Sequence, residues 1–208
     1  MPALHDTKGT ARFGQPLSRA RGAAILVHGR GSSPHDIAGL ADVLSGTDLA
    51  FLAPAANSGT WYPHRFLAPL ERNEPRLSSA LNVIDQLVAE VLAAGIATER
   101  IGLAGFSQGA CLVLEYAMRH PRHYGFVAGL SGALIGPADT PRPAIDLHGA
   151  PVLLGCAEMD AHIPCDYVVR SAEIFSQAGA TVTKQIFPGA AHTIFPAEIE
   201  WLKEHALG

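Results

Sequence analysis

The segment Gly105-Phe106-Ser107-Gln108-Gly109 sets a serine between two glycines, each two residues away. A serine hydroxyl lifted out of a tight turn can attack a carbonyl carbon, and flanking glycines remove the side chains that would crowd such a turn. The chemistry is nucleophilic acyl transfer. It needs a base to take the hydroxyl proton and an acidic residue to hold that base in the right tautomer. Ten histidines and 19 Asp and Glu residues supply candidates, so the positioning elements have to choose among them.

Before the serine, Arg100 to Phe106 reads as a short buried strand; after it, Gln108 to Arg119 reads as a helix. In that helix the charged residues are Glu115 and Arg119, spaced as an i,i+4 pair, and the other positions from Ala110 to Met118 are apolar or nearly so. Such a helix must be packed on most sides. Pro121 closes it.

A strand, a serine turn and a buried helix resemble the nucleophile elbow of the α/β-hydrolase fold. Gly105-Phe106-Ser107-Gln108-Gly109 taken with His28-Gly29-Arg30-Gly31 is similar to the phospholipase/carboxylesterase family, compact esterases that include acyl-protein thioesterases. The similarity runs from about Ala23 to the C-terminal helix. It implies a mostly parallel central sheet with helices on both faces, a minimal core without a large lid domain, and hydrolysis without a cofactor.

In that fold the chain order is Ser, then Asp or Glu, then His, with the base on a loop after the last or near-last strand. His192, in Pro188-Gly189-Ala190-Ala191-His192-Thr193, meets this condition, whereas His120, His123 and His205 read as structural or solvated. Glu158 and Asp160 both follow the preceding strand. Asp160-Ala161-His162-Ile163-Pro164 matches the family's pattern of an acid followed by Ile or Val and Pro, which favours Asp160. His162 reads as a neighbour that lines or supports the site.

Acyl transfer also needs N–H donors aimed at the oxygen that becomes negative. The backbone N–H of Gln108, at the helix start, is one; the resemblance supplies the backbone N–H of Arg30 as the second. Many thioesterase relatives carry leucine where this chain has Arg30. Its guanidinium is expected either to form a surface ion pair or to bind an anionic acyl or leaving group. Trp61, Tyr62 and Phe66 are candidates for an apolar pocket, the alternative being that they cover core. Cys156, Asp160, His162 and Cys165 lack metal-ligand spacing, so no metal is expected.

With 208 residues, one domain is expected over the whole chain. A net charge of −4, with 15 scattered Lys and Arg residues, gives no basic stripe for nucleic acid and no polybasic membrane anchor. A small-molecule ester is the expected partner, with a homodimer left open. Three cysteines, an odd number, read as free thiols in a reducing compartment. The N-terminus lacks a signal-like segment and no apolar run approaches ~18 residues, so a cytoplasmic location is expected.

Along the chain, residues 1–22 offer at most a short peripheral strand or hairpin. Strands are expected over 23–28, 48–54, 125–130, 151–156 and 181–187. Ser33, Pro34 and Asp36 open a helix whose buried face is Ile37, Leu40, Ala41 and Leu44. Further helices are expected over 77–94, 166–178 and 196–206. Residues 55–75 are aromatic, punctuated by Pro and Gly and without periodicity, and read as the wall over the active site. The reading that follows is a serine carboxylesterase for short to medium acyl groups, working through an acyl-enzyme. Its rivals are a thioesterase or lysophospholipase for longer chains, and a non-catalytic binding protein on the same fold.

Overall fold

The computed structural model describes residues 4–44, 46 and 48–206. The strands are β1 (Ala11–Gly14), β2 (Gly22–Val27), β3 (Leu49–Ala53), β4 (Ile101–Phe106), β5 (Phe126–Leu130), β6 (Pro151–Ala157) and β7 (Thr181–Phe187). They form one sheet in the order β1-β3-β2-β4-β5-β6-β7. β1 pairs antiparallel with β3 at one edge; every other pairing is parallel. The peripheral strand expected in the N-terminal segment is β1, and residues 1–3 of that segment lie outside the described residues.

Continuous apolar runs such as Ala23-Ala24-Ile25-Leu26-Val27 suit a parallel strand covered on both faces, and every residue of β2, β3 and β5 is buried. Alternate residues feed two cores. Ala23, Ile25 and Val27 join one with helices α3 (Arg76–Ala93), α4 (Gln108–Arg119) and α5 (Cys165–Gln177). Ala24 and Leu26 join the other, beneath α1 (Pro34–Ile37), α2 (Gly39–Val43) and α6 (Pro196–Ala206). Among the described residues no helix is long and apolar enough to cross a membrane.

One expected helix is two. Ala38 N–H donates to His35 O, three residues back, and the chain restarts at Gly39, a residue that weakens a continuous helix. The start is as expected, since the Asp36 carboxylate accepts the Ser33 N–H and hydroxyl, both at 2.8 Å. Ile37, Leu40, Ala41 and Leu44 are all buried despite the break, because both short helices lie on the same core.

The elbow glycines allow three backbones to meet. A Cβ on Gly109 would lie 2.1 Å from the carbonyl oxygen of Val27, and one on Gly105 would lie 2.3 Å from that of Gly109. In an exposed helix Gly→Ala gains up to ~1 kcal/mol. Here Gly109→Ala is expected to destabilise the protein by ~1–3 kcal/mol, because backbone rather than a yielding side chain occupies the space. A lowered urea midpoint checks this.

Candidate active site

Ser107 stands between β4 and α4, as the N-cap of α4, with φ 55° and ψ −117°. A left-handed φ at a serine costs of order ~1–3 kcal/mol and persists only where the surroundings over-determine it. They do so here: Ser107 N–H donates to Leu130 O on β5 (3.0 Å), and Ser107 O accepts the N–H of Cys111 (3.0 Å). The turn lifts the hydroxyl off the end of the sheet.

His192 stands on the loop between β7 and α6, and Asp160 on the loop after β6. Ser107 Oγ and His192 Nε2 are 2.8 Å apart, and His192 Nδ1 and Asp160 Oδ2 are 2.7 Å apart. Burial works to raise the Asp160 pKa. The bond from His192 and the backbone N–H groups of His162 (2.8 Å) and Ile163 (3.1 Å) outweigh it and hold the carboxyl below the usual carboxylate range. An ionised carboxylate only accepts, so Nδ1 carries the proton and Nε2 is left to accept from Ser107. Two backbone bonds tie the acid loop to the histidine loop, Glu158 N–H to Phe187 O (2.7 Å) and Met159 N–H to Gly189 O (2.9 Å). Glu158, the other carboxylate offered by the sequence, is exposed. Ser131 Oγ–H donates to Thr193 O (2.9 Å), beside His192.

Residues 55–75 form a wall fastened by side chains from elsewhere. The Gln108 amide accepts the Trp61 N–H (2.9 Å) and donates to Tyr62 O (2.8 Å). His28 donates Nδ1–H to Gly29 O (2.7 Å) and accepts the Ala56 N–H at Nε2 (3.1 Å). His5 donates Nε2–H to Trp61 O (2.8 Å) and accepts the Asn57 N–H at Nδ1 (3.0 Å). Burial lowers the pKa of both histidines, so each stays neutral and keeps an acceptor nitrogen.

Two expectations need correction. Among the described residues the Arg30 guanidinium has no acidic partner; it donates to the carbonyls of Tyr62 (2.9 Å), Pro63 (3.1 Å) and His64 (2.8 Å), a row of acceptors matched to its fork of donors. Trp61 is not among the residues that line the cavity over Ser107. It is fully buried between His5 and His28, because its indole N–H finds an acceptor inward, at His28 O (2.9 Å).

Tyr62, Phe66 and His162 do line a cavity of about 460 Å³ that opens over Ser107 and His192. Arg30 and Gln108 border the same cavity. Among the lining residues, Cys111 and Ile163 were not named as site residues from the sequence, and Arg65 was included only as part of the wall 55–75. Cys111 follows Ser107 by one helical turn, a spacing that could have shown it. Arg65, donating to His162 O (3.2 Å), joins the wall to the acid loop across 97 residues, and no local signal predicts that. A second cavity of about 250 Å³, at the opposite ends of the strands near Gly22 and Gly102, contains none of these residues. Among the described residues no three His, Cys, Asp or Glu side chains gather as a metal-ligand set.

A mostly parallel sheet with an elbow serine, an acid and a histidine in this chain order defines an α/β-hydrolase. The family model described as phospholipase/carboxylesterase matches residues 9–206, and the chain belongs to that family of hydrolases. A crystal structure of a phospholipase/carboxylesterase from Dyadobacter fermentans DSM 18053 is similar at TM-score 0.92 and 37% identity, with 99% of each chain covered. Acyl-protein thioesterase 1 of Saccharomyces cerevisiae is 26% identical over 214 residues, 91% of this chain and 93% of that protein. Acyl-protein thioesterase 1 of Gibberella zeae is 32% identical over 117 residues; the match takes in 55% of this chain and spans about half, 50%, of that relative's length.

The neutral histidines make the wall sensitive to acid. Their folded pKa values lie below the unfolded value of ~6.5, so their contribution is whole above that pH and is lost as pH falls through the folded values. Asp160 adds a further loss below the carboxylate range. His28→Ala is expected to lower the urea midpoint at neutral pH yet flatten its decline below pH ~6.5. Denaturation curves across a pH series read that slope.

Proposed function

We propose that the protein is a serine carboxylesterase hydrolysing short- to medium-chain carboxylic esters through an acyl-enzyme. The observation that carries this reading is the unbroken line of hydrogen bonds from Ser107 Oγ through His192 to Asp160, at 2.8 and 2.7 Å. Ser107 Oγ attacks the ester carbonyl carbon as His192 Nε2 takes its proton. The imidazolium so formed is steadied by Asp160 and returns the proton to the leaving alcohol as the C–O bond breaks. Water, deprotonated by His192 in turn, then attacks the acyl-enzyme and frees Ser107.

The oxyanion of each tetrahedral intermediate is held by the backbone N–H groups of Gln108 and Arg30. Gln108 is the first residue of α4, where helical N–H groups lack intrahelical acceptors and the helix end is partly positive. The Arg30 side chain supports its own N–H indirectly, by holding the wall against the same loop. Three free cysteines, two of them buried, fit a reducing compartment, and a cytoplasmic location is part of this proposal.

A second reading is hydrolysis of acyl thioesters by the same residues, favoured by relatives named acyl-protein thioesterase 1. Sulfur replaces the ester oxygen as leaving atom and the roles are otherwise unchanged.

Ser107→Ala is expected to reduce kcat/KM on p-nitrophenyl acetate by ~10⁴-fold or more with the far-UV circular dichroism unchanged. Loss of fluorophosphonate labelling should accompany it; a wild-type protein that takes no label would favour a binding protein on this fold. A cavity of about 460 Å³ sits in the lower part of the ~300–1,000 Å³ range of ligand pockets. Along a series of p-nitrophenyl esters the rate is therefore expected to peak at short or medium acyl length. A steady rise to palmitate would replace this reading with the long-chain one.

A further inference from the structure

Register places two unpartnered oxygen atoms, of Gln185 and Glu198, on the α6 side of the sheet. Gly155 on β6 and Gln185 on β7 are in-register partners, and such partners project to the same face. That face is the one α6 covers. Thr183, two residues before Gln185, accepts the Trp201 indole N–H (3.0 Å), and Phe187, two residues after, stacks on Phe195 at 3.9 Å between ring centroids. Gln185 therefore projects between Phe195 and Trp201, which is where Glu198 lies.

Glu198 is 0% exposed, and its Oε1 rests over Gly155, since a Cβ there would sit 2.1 Å from it. Its Oε2 accepts the Phe195 N–H (2.8 Å). Glu198 Oε1 and Gln185 Oε1 are both buried and neither has a hydrogen-bond partner. Two buried acceptors on the same face of the sheet, each without a donor, are two unsatisfied polar atoms. A single proton on Glu198 turns one acceptor into a donor and satisfies both.

We propose that Glu198 is a neutral carboxylic acid in the folded protein, donating Oε1–H to Gln185 Oε1, and that this bond positions the loop carrying His192. Glu198 is a positioning residue that acts through this loop: its other oxygen holds Phe195, three residues beyond His192, while Ser131 holds Thr193 from the β5 side. Burial pushes its carboxyl up to about 7 against the opposing pull of the Phe195 N–H. Among the described residues no cation is paired with it. Cys156 projects to the opposite face of β6, its thiol pushed up to about 12, first by burial. His205 stacks on Trp201 and bonds to its carbonyl. From β7, Lys184 is exposed on the other face, and from β5 the Ser131 hydroxyl is committed to Thr193 O.

A carboxyl that titrates near 4.5 unfolded and near 7 folded makes stability fall as pH rises between those values and level off above them. This slope opposes that of His5 and His28, so a comparison of variants is needed to isolate it. Glu198→Gln keeps the shape, is neutral at every pH, and can donate an amide N–H to Gln185 Oε1. Glu198→Ala removes both bonds.

The test measures melting temperature and ester-hydrolysis rate for wild type, E198Q and E198A across pH ~5.5 to 9. E198Q should match wild type at the acid end and exceed it at the alkaline end by about 2–4 °C or more. Its kcat should also lack the wild-type decline above pH ~7. E198A should melt lower throughout, with kcat down about tenfold or more and KM little changed. Wild-type and E198Q melting curves that stay parallel across the range would overturn the proposal, the outcome expected if Gln185 instead turns its amide N–H toward a charged Glu198. An E198Q protein as impaired as E198A at acid pH would overturn it too. Should E198Q not fold, an infrared titration of wild type decides: a carboxylic acid C=O band persisting at pH ~6 and gone by pH ~8 supports the proposal, and its absence at pH ~6 overturns it. Melting and infrared readouts need no turnover, so they stand even if the esterase reading, on which the loop's role rests, fails.

Discussion

An imidazole can take a proton from a serine only while its far nitrogen is held, and here the hold is the 2.7 Å bond from His192 Nδ1 to Asp160 Oδ2. The bond joins loops leaving adjacent parallel strands, and the register of β6 with β7 brings the loops side by side. Backbone bonds at Glu158 and Met159 stitch the two loops together before any side chain is counted. Asp160 is then charged in a nearly buried place because one side-chain and two backbone donors outweigh its desolvation. Loss of that charge would release the tautomer, the orientation of the ring and the acceptor nitrogen facing Ser107 together.

Opposite this pair, the wall of the cavity is irregular backbone, and irregular backbone near a dry pocket has polar groups that must be paired. Gln108, Arg30, His28 and His5 pair them, reaching from α4, from the loop after β2 and from the N-terminal segment. Two of these fasteners are histidines that work because burial keeps them neutral, each with one nitrogen donating and the other accepting. The same economy is proposed for the other side of the site, where the Glu198 carboxyl and the Gln185 amide oxygen are both buried without a donor. In both places the number of protons bound, rather than the number of contacts made, determines whether the loops stay in register with the elbow.

Much of the fold was legible in the residues. Helix 108–119 and strand 181–187 coincide with the expected bounds, because the helix carries a sustained apolar signature ended by Pro121 and the strand, rich in β-branched residues, is bounded by Gly179 and Pro188. The Pro34 helix was legible in its capping and in its buried face, but not in its interruption at Ala38, since the same apolar spacing serves one helix or two short ones on a common core. Ser107 was legible because the elbow is a local backbone requirement. Asp160 and His192 could be chosen only by adding a family pattern to strand order.

Sequence alone determined which chemical groups exist, which segments are strands or helices, and that a serine, an acid and a histidine follow in the order their fold requires. Tertiary structure alone decided that Arg30 grips three carbonyls, that Trp61 turns inward, that Arg65 crosses to His162, and that Glu198 lies over Gly155 beside Gln185. The physical reason is range. Periodicity, capping and turn strain act over a few residues and leave a trace in the string, whereas the partner of a guanidinium or a buried carboxyl is selected by whatever distant backbone the packing of the sheet brings within 3 Å.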